Sequence, residues 1–123
     1  MFSLEVTRYF DAAHYLRGYE GKCANLHGHS WKVKVILRGK ETDKIGMLID
    51  FVTVKAGLDS SINKYDHSCL NDIEPFTTVN PTAELLAKSI FVELNRKINK
   101  KGELESVTVY ESPDCGAKFY QPE

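Results

Sequence analysis

Alternating apolar and polar residues predict four β-strands in this chain. Residues 2–6 and 31–37 place an apolar side chain at every second position, which is typical of strands with one buried face. Residues 107–109 and 117–120 show a similar alternation further along the chain. A polar, turn-like stretch over 39–46 follows the first strand pair. One pair of strands is therefore expected near each end of the sequence.

Apolar residues that recur every three or four positions predict two helices between these strand pairs. Asp50 is a suitable N-cap for the first helix, and an apolar stripe over 51–65 follows it. For the second helix, Asn80 is the expected N-cap and Pro81 the expected first helical residue. Apolar residues then repeat at every fourth position, and Gly102 is expected to end the basic stretch that follows.

The predicted element order is β-β-α-α-β-β, which indicates the α+β class. In this class we expect an antiparallel four-stranded sheet with both helices on one face. The chain has 123 residues, a length that suits a single domain over 1–123. A chain of this size buries enough surface to form a hydrophobic core.

Composition excludes several classes of protein. Hydrophobic residues make up 42% of the chain and the formal net charge is −1, so an intrinsically disordered chain is excluded. The same charge gives no general attraction to nucleic acid or anionic lipid. No apolar stretch approaches the roughly 18 residues of a membrane span. Three widely spaced cysteines, Cys23, Cys69 and Cys115, cannot all pair internally, and we expect a reducing cytoplasm.

Three of the four histidines form the clearest candidate for chemistry. His27 and His29 lie two residues apart at the entrance to the second strand, so an extended backbone places both imidazoles on one face. His14 ends the first strand, and a hairpin would bring it beside them. Three neutral imidazoles would make a zinc site with a fourth position open to water or substrate. On these residues alone, the alternative is a polar strand start with His14 at the surface.

Cys23 lies four residues before His27 and allows three interpretations. It could be a fourth zinc ligand that closes a structural site. It could instead stand free beside the metal, where a nearby cation would lower the pKa of its thiol and make the thiolate a usable base. A buried, inert thiol is the third possibility.

Two further groups are candidates for acid/base work and for binding. Asp66 directly precedes His67, and a turn could direct both at one pocket so that the carboxylate orients the imidazole. The alternative is a helix C-terminus that simply favours a cationic His67. Glu111 shares its strand face with Val107 and Val109, so it should point toward the core side. There it could accept two N–H groups of a planar, guanidine-like ligand edge, unless the strand end is exposed.

Six separated motifs together span nearly the whole chain. They are Phe10-Asp-Ala-Ala-His14, Cys23-x₃-His27-Gly28-His29, Gly46-Met-Leu-Ile-Asp50-Phe51, Tyr65-Asp66-His67, Asn80-Pro81-Thr82-Ala83-Glu84 and Tyr110-Glu111. In this order they resemble the 6-pyruvoyltetrahydropterin synthase superfamily. The spacing of three residues between Cys23 and His27 is similar to that of the branch that makes 6-carboxytetrahydropterin in bacterial queuosine biosynthesis.

The resemblance implies a tunnelling-fold (T-fold) subunit that forms trimeric barrels, stacked into hexamers with sites at subunit interfaces. It implies zinc as the metal and 7,8-dihydroneopterin triphosphate as the substrate. The products would be 6-carboxy-5,6,7,8-tetrahydropterin, acetaldehyde and triphosphate. The implied residues are His14, His27 and His29 for zinc, Cys23 as the base, Asp66 and His67 as a proton relay, and Glu111 as the anchor of the pterin edge.

Two other functions compete with this expectation. A 6-pyruvoyltetrahydropterin synthase would eliminate triphosphate from the same substrate without releasing acetaldehyde. A non-enzymatic zinc module would use Cys23 as a fourth ligand and bind a protein partner, and removal of its metal would unfold it.

Overall fold

Five β-strands and two α-helices form the described part of the chain, which in this computed structural model comprises residues 1–98 and 103–122. The elements follow one another in the order β-β-α-β-α-β-β. They are β1 (Phe2–His14), β2 (His27–Gly39), α1 (Phe51–Ile62), β3 (Ser68–Cys69), α2 (Ala83–Lys97), β4 (Glu103–Ser112) and β5 (Cys115–Tyr120).

The strands form one sheet in the order β3-β1-β2-β4-β5. The four long strands pair antiparallel, so the predicted α+β class and the predicted strand set are confirmed. The prediction of a purely antiparallel four-stranded sheet is wrong in one detail, because β3 joins as a fifth strand parallel to β1. Two residues are too short to show an alternating pattern, and the pairing of Ser68 with Ala12 arises only when the loop after α1 docks on the sheet edge.

The start of α1 matches the prediction, and the start of α2 does not. Asp50 is the N-cap of α1, and its carboxylate accepts a hydrogen bond from the Val52 N–H. The N-cap of α2 is Thr82, whose hydroxyl accepts from the Leu85 N–H. Asn80 cannot cap the helix because its side-chain amide bonds the backbone of Arg17 instead. The predicted end at Gly102 lies outside the described residues.

The hydrophobic core lies between the helices and one face of the sheet. On that face Val33, Val35 and Leu37 of β2 are fully buried. Leu86 and Ile90 of α2 are also fully buried and belong to the same core cluster. Burying such side chains contributes about 1.5–3 kcal/mol each to folding. This packing fixes the orientation of β2 and of the histidines at its start.

Within the described residues, neither helix is long and apolar enough to cross a membrane.

Candidate metal centre

Three histidine side chains converge where β1 ends and β2 begins. The register of the β1–β2 hairpin places His14 opposite His27 and Ala12 opposite His29. The ring centroids of the three histidines lie 4.6, 4.8 and 5.1 Å apart. One ring nitrogen of each lies within 4.8 Å of the others, which is close enough to share one cation. The geometry expected from the sequence for His14, His27 and His29 is therefore present.

Backbone carbonyls determine which nitrogen two of these histidines present. The Nδ1–H of His14 donates to the carbonyl oxygen of Pro81 at 2.8 Å, and that of His27 to Asn25 at 2.7 Å. A carbonyl only accepts, so Nδ1 carries the proton and Nε2 keeps its lone pair. In the described part of the chain, the buried Nε2 atoms of His14 and His29 have no hydrogen-bond partner. Unpaired buried acceptors that face one another fit a bound cation.

Trp31 packs against two of the three histidines. It is fully buried, and its indole N–H donates to the carbonyl oxygen of Ala12 at 3.1 Å. The centroid of its ring lies 4.9 Å from that of His14 and 5.1 Å from that of His29. The indole ring therefore limits the movement of both imidazoles.

Burial favours the neutral, metal-binding form of His14 and His29. It lowers the pKa of His14, although the Pro81 carbonyl and the Glu111 charge act in the opposite direction. Burial also lowers the pKa of His29, again with partial opposition from the Glu111 charge. Both imidazoles are consequently neutral near pH 7, and a metal ion has no proton to displace from them.

Glu111 borders the histidine cluster from β4. One of its carboxylate oxygens, Oε1, lies 3.8 Å from His14 Nε2, and its side chain is about one-third exposed. The residue sits at an irregularity in the β4–β5 pairing between Tyr110 and Ser112. A carboxylate that is anchored near the cluster and also reaches solvent can accept hydrogen bonds from a ligand placed beside the cluster.

Asp66 and His67 form a second group at the edge of β1. Their side chains approach to 3.1 Å between Asp66 Oδ1 and His67 Nδ1. The Asp11 N–H donates to Asp66 Oδ1 at 3.0 Å, and the His67 N–H donates to the Asp11 carbonyl oxygen at 2.6 Å. The Asp11 N–H, followed by a smaller contribution from His67, holds the pKa of Asp66 below its ordinary value. The pair is thus tied to the strand that ends in His14.

The imidazole of His67 projects away from the chain. Its backbone has a φ of 57°, a left-handed conformation that is uncommon for residues other than glycine. Its side chain is 79% exposed, so it makes few contacts with the rest of the described chain. Asp11 lies on the face of β1 opposite His14, and His67 and His29 both line one open cavity.

Cys23 joins neither group. It lies on a short 3₁₀ turn, Lys22–Ala24, and is a half-buried free thiol. The groups of described residues with metal-ligand spacing are the three histidines and the Asp11, Asp66 and His67 set. The described chain therefore brings the three histidines and Glu111 together, but it does not bring Cys23 to Asp66 and His67.

Sequence reasoning missed the residues that hold His14 in place. Pro81 was predicted only to start a helix, whereas its carbonyl oxygen bonds His14. Trp31 was predicted only as core. Asn71 is 3% exposed and bonds the backbone of Tyr15, and nothing in the local sequence distinguished it from a loop residue. The one available signal was the Asn-Pro pair at 80–81, which belongs to one of the six motifs.

Comparisons with known proteins agree with this fold. Residues 3–122 match the family model for 6-pyruvoyl tetrahydropterin synthase. The chain is 40% identical over 118 residues to a 6-carboxy-5,6,7,8-tetrahydropterin synthase of Synechocystis sp., covering 92% of this chain and 88% of that protein. An enzyme of the same name from Haemophilus influenzae is 32% identical, covering 98% of this chain and all of its own.

The fold also matches a solved structure. The Caenorhabditis elegans 6-pyruvoyl tetrahydropterin synthase superposes with a TM-score of 0.89 and 29% identity. The match covers 98% of this chain and 96% of that one. Together with the family model and the curated relatives, it means that this chain belongs to the 6-pyruvoyl tetrahydropterin synthase family.

Proposed function

We propose that the protein is a zinc-dependent lyase that converts 7,8-dihydroneopterin triphosphate to 6-carboxy-5,6,7,8-tetrahydropterin, acetaldehyde and triphosphate. This reaction would serve the pathway to queuosine. The proposal rests on one observation above all, the convergence of three imidazoles beside the carboxylate of Glu111. The names of the curated relatives, at 32% and 40% identity, favour the carboxy product.

His14, His27 and His29 fit Zn²⁺ through their Nε2 atoms. Three imidazole nitrogens are a ligand set that zinc commonly takes in catalytic sites, where a fourth position stays free. Cys23 lies outside the group, which favours an open site over a structural site closed by a thiolate. Bound zinc would supply a Lewis acid for the hydroxyl groups of the substrate side chain.

Glu111 is the proposed anchor for the pterin ring. An ionised carboxylate accepts two parallel N–H bonds from an amino-pyrimidinone edge in the same manner as it pairs with a guanidinium group. The distance of 3.8 Å from Glu111 Oε1 to His14 Nε2 keeps the anchor next to the metal ligands. Ring binding at Glu111 would therefore place the substrate side chain at the metal.

Cys23 and the Asp66–His67 pair are the proposed acid/base groups. The Cys23 thiolate would take a proton from a substrate carbon, and the His67 imidazole would deliver or collect one while Asp66 orients it. Because His67 points out from the sheet edge, we place it in the site of a neighbouring subunit within a hexamer built as a dimer of trimers. The three free thiols suit the reducing cytoplasm as the location.

Product analysis tests the proposal directly. Purified zinc-loaded protein is incubated with 7,8-dihydroneopterin triphosphate, and both the pterin product and acetaldehyde are quantified. Equal amounts of acetaldehyde and 6-carboxytetrahydropterin are expected. A 6-pyruvoyl product without acetaldehyde would place the chain with the enzymes named for that activity, as in the Caenorhabditis elegans structure.

A metal-removal experiment separates the enzyme from a structural zinc module. Chelation should abolish turnover and leave most of the far-ultraviolet circular dichroism of the helices and sheet intact, because none of the three histidines belongs to the hydrophobic core cluster. Unfolding on chelation would support the structural module. The His14→Ala variant is the matched control, since it should behave like chelated wild type.

A further inference from the structure

Two buried or half-buried asparagine side chains continue the hydrogen bonding of β1 beyond His14. Asn71 Oδ1 accepts from the Tyr15 N–H at 3.0 Å, and Asn71 Nδ2 donates to the Tyr15 carbonyl oxygen at 3.0 Å. Asn80 does the same with Arg17, at 2.8 Å to the N–H and 2.9 Å to the carbonyl oxygen. Each amide thereby forms the two bonds that a residue of a neighbouring strand would form.

The hydrogen bonds between Asn80 and Arg17 lie next to the contact between Pro81 and His14. Asn80 directly precedes Pro81, whose carbonyl oxygen accepts from His14 Nδ1. The Arg17 guanidinium adds bonds to the carbonyl oxygens of Phe76 and Val79, at 3.0 and 3.2 Å. The loop that ends in Pro81 is therefore tied to the segment that follows His14, and the distance between carbonyl and imidazole is fixed by that tie.

The hydrogen bonds of Asn71 hold the same segment nearer to His14, at Tyr15. β3 pairs with β1 as far as Ala13, which lies opposite Cys69. Asn71 then takes over at Tyr15, and it is 3% exposed. A buried amide whose oxygen and nitrogen both find partners makes a rigid contact, since breaking either bond leaves a polar group unsatisfied. The backbone is thus held on both sides of His14, by the pairing of Ala13 with Cys69 and by the bonds between Asn71 and Tyr15.

We propose that Asn71 and Asn80 are positioning residues for the metal centre: Asn80 holds the loop that carries the Pro81 carbonyl, Asn71 holds the backbone at Tyr15, and together they aim His14 Nε2 at the bound divalent cation. The inference rests on the proposed zinc site and adds to it the residues that orient one ligand. A group bonded directly to a metal ligand, as the Pro81 carbonyl is to His14, typically changes metal affinity by about 10- to 100-fold when it is removed. Asn71 and Asn80 act one step further from the ligand, so an effect at the lower end of that range is expected.

Helix capping does not explain Asn80. The cap of α2 is the hydroxyl of Thr82, so a variant at Asn80 leaves the helix start chemically intact. Conversely, Thr82→Ala weakens the helix start and leaves both bonds from Asn80 to Arg17 in place. The two variants therefore separate an effect on the metal centre from an effect on local helix stability.

Zinc affinity measured by competition with a chromophoric chelator tests the inference on the full chain. Asn80→Ala and Asn71→Ala should each raise the Kd for Zn²⁺ by about 10-fold. Asn80→Asp keeps an acceptor for the Arg17 N–H and loses the donor, so a smaller rise is expected. Thr82→Ala and the exposed Asn95→Ala of α2 should stay within about two-fold of wild type.

The absorption spectrum of the Co²⁺-substituted protein provides a second readout that does not depend on turnover. Displacement of one imidazole should alter the visible bands in Asn80→Ala and leave them unchanged in Thr82→Ala. If an alanine variant does not fold, Asn80→Asp supplies the affinity and the spectrum. Wild-type Kd and spectrum in the folded Asn variants would overturn the inference, and so would an equal loss of affinity in Thr82→Ala.

Failure of the proposed metal site has a different signature. If wild type bound no zinc, or if His14→Ala bound it as tightly as wild type, the histidine site itself would be wrong. If zinc binding required His14 but ignored both asparagines, only their positioning role would be wrong.

Discussion

At the scale of single residues, burial and hydrogen bonding distinguish the environment of His14 from that of His67. His14 is 1% exposed, donates through Nδ1 to a carbonyl, and burial lowers its pKa. The side chain of His67 is 79% exposed and lies beside the Asp66 carboxylate. A fixed neutral imidazole suits a metal ligand, whereas a solvent-accessible imidazole beside a carboxylate suits proton transfer.

Replacing each of these histidines should therefore have a different consequence. His14→Ala should lose stoichiometric zinc and with it all turnover. His67→Ala should keep zinc near one equivalent per chain and lose turnover by about 10²- to 10⁴-fold, the usual contribution of a general acid or base. Metal analysis of the purified variants, together with their turnover rates, checks both outcomes. Equal zinc loss in the two variants would contradict this division of roles.

Because the pKa of Asp66 is lowered, we expect its contribution to the stability of the fold to depend on pH. Its ionised form is held mainly by the Asp11 N–H, so the folded state binds a proton less readily than the unfolded state. The stabilisation is present above the ordinary pKa near 3.8 and is lost as the pH falls through the lower folded value. Asp66→Asn should lower Tm near neutral pH, and the difference from wild type should shrink as the pH falls below 3.8. A difference that stays constant with pH would contradict the assigned cause.

At the scale of elements, the sequence was reliable where a signal was local. The Asp50 cap of α1 could be predicted because the cap bonds a backbone N–H two residues away. The cap of α2 was misplaced by two residues, because Asn80 is engaged by Arg17, which is 63 positions distant in the sequence. Such a partner is invisible to any argument from neighbouring residues, although its effect decides where α2 begins.

The apolar face of α2 should contribute more stability than its outer face. Leu94 is fully buried, and Leu94→Ala should lower the free energy of unfolding by about 2–5 kcal/mol, since it removes contacts and leaves a cavity. Val92 on the same helix is 40% exposed, and Val92→Ala should cost less than about 1 kcal/mol. Urea unfolding at one fixed protein concentration compares the two. Similar losses would mean that α2 does not pack through the face described.

At the scale of the whole molecule, the sheet leaves its outer strands open. Among the described residues, β3 and β5 lie at the two ends of the strand order. Open edges expose unpaired backbone groups, and closing a barrel with copies of the same sheet removes them. In the proposed assembly, the exposed His67 of one copy would lie against the surface of the next. The proposed hexamer and the proposed site between subunits would then use the same edge of the sheet.

Complementation between inactive variants tests a site shared by two subunits. Cys23→Ala and His67→Ala should each be inactive alone. Co-expression at equal levels should restore about one quarter of wild-type activity, because that fraction of interfaces would combine an intact Cys23 with an intact His67. Light scattering should give a mass near six times the 13.9 kDa of one chain. No activity in mixed assemblies would place both groups in one subunit's own site.

The sequence by itself determined the strands, the helices and the candidate ligands, because alternation, helical periodicity and the spacing of His27 and His29 are local properties of the chain. Tertiary structure decided the rest through contacts between distant segments. Such contacts pair β3 with β1 and leave Thr82, not Asn80, as the cap of α2. They also bring the Pro81 carbonyl to His14 and the Asn80 side chain to Arg17. These contacts bury polar groups that must find partners wherever the fold supplies them, and a linear pattern does not contain that information.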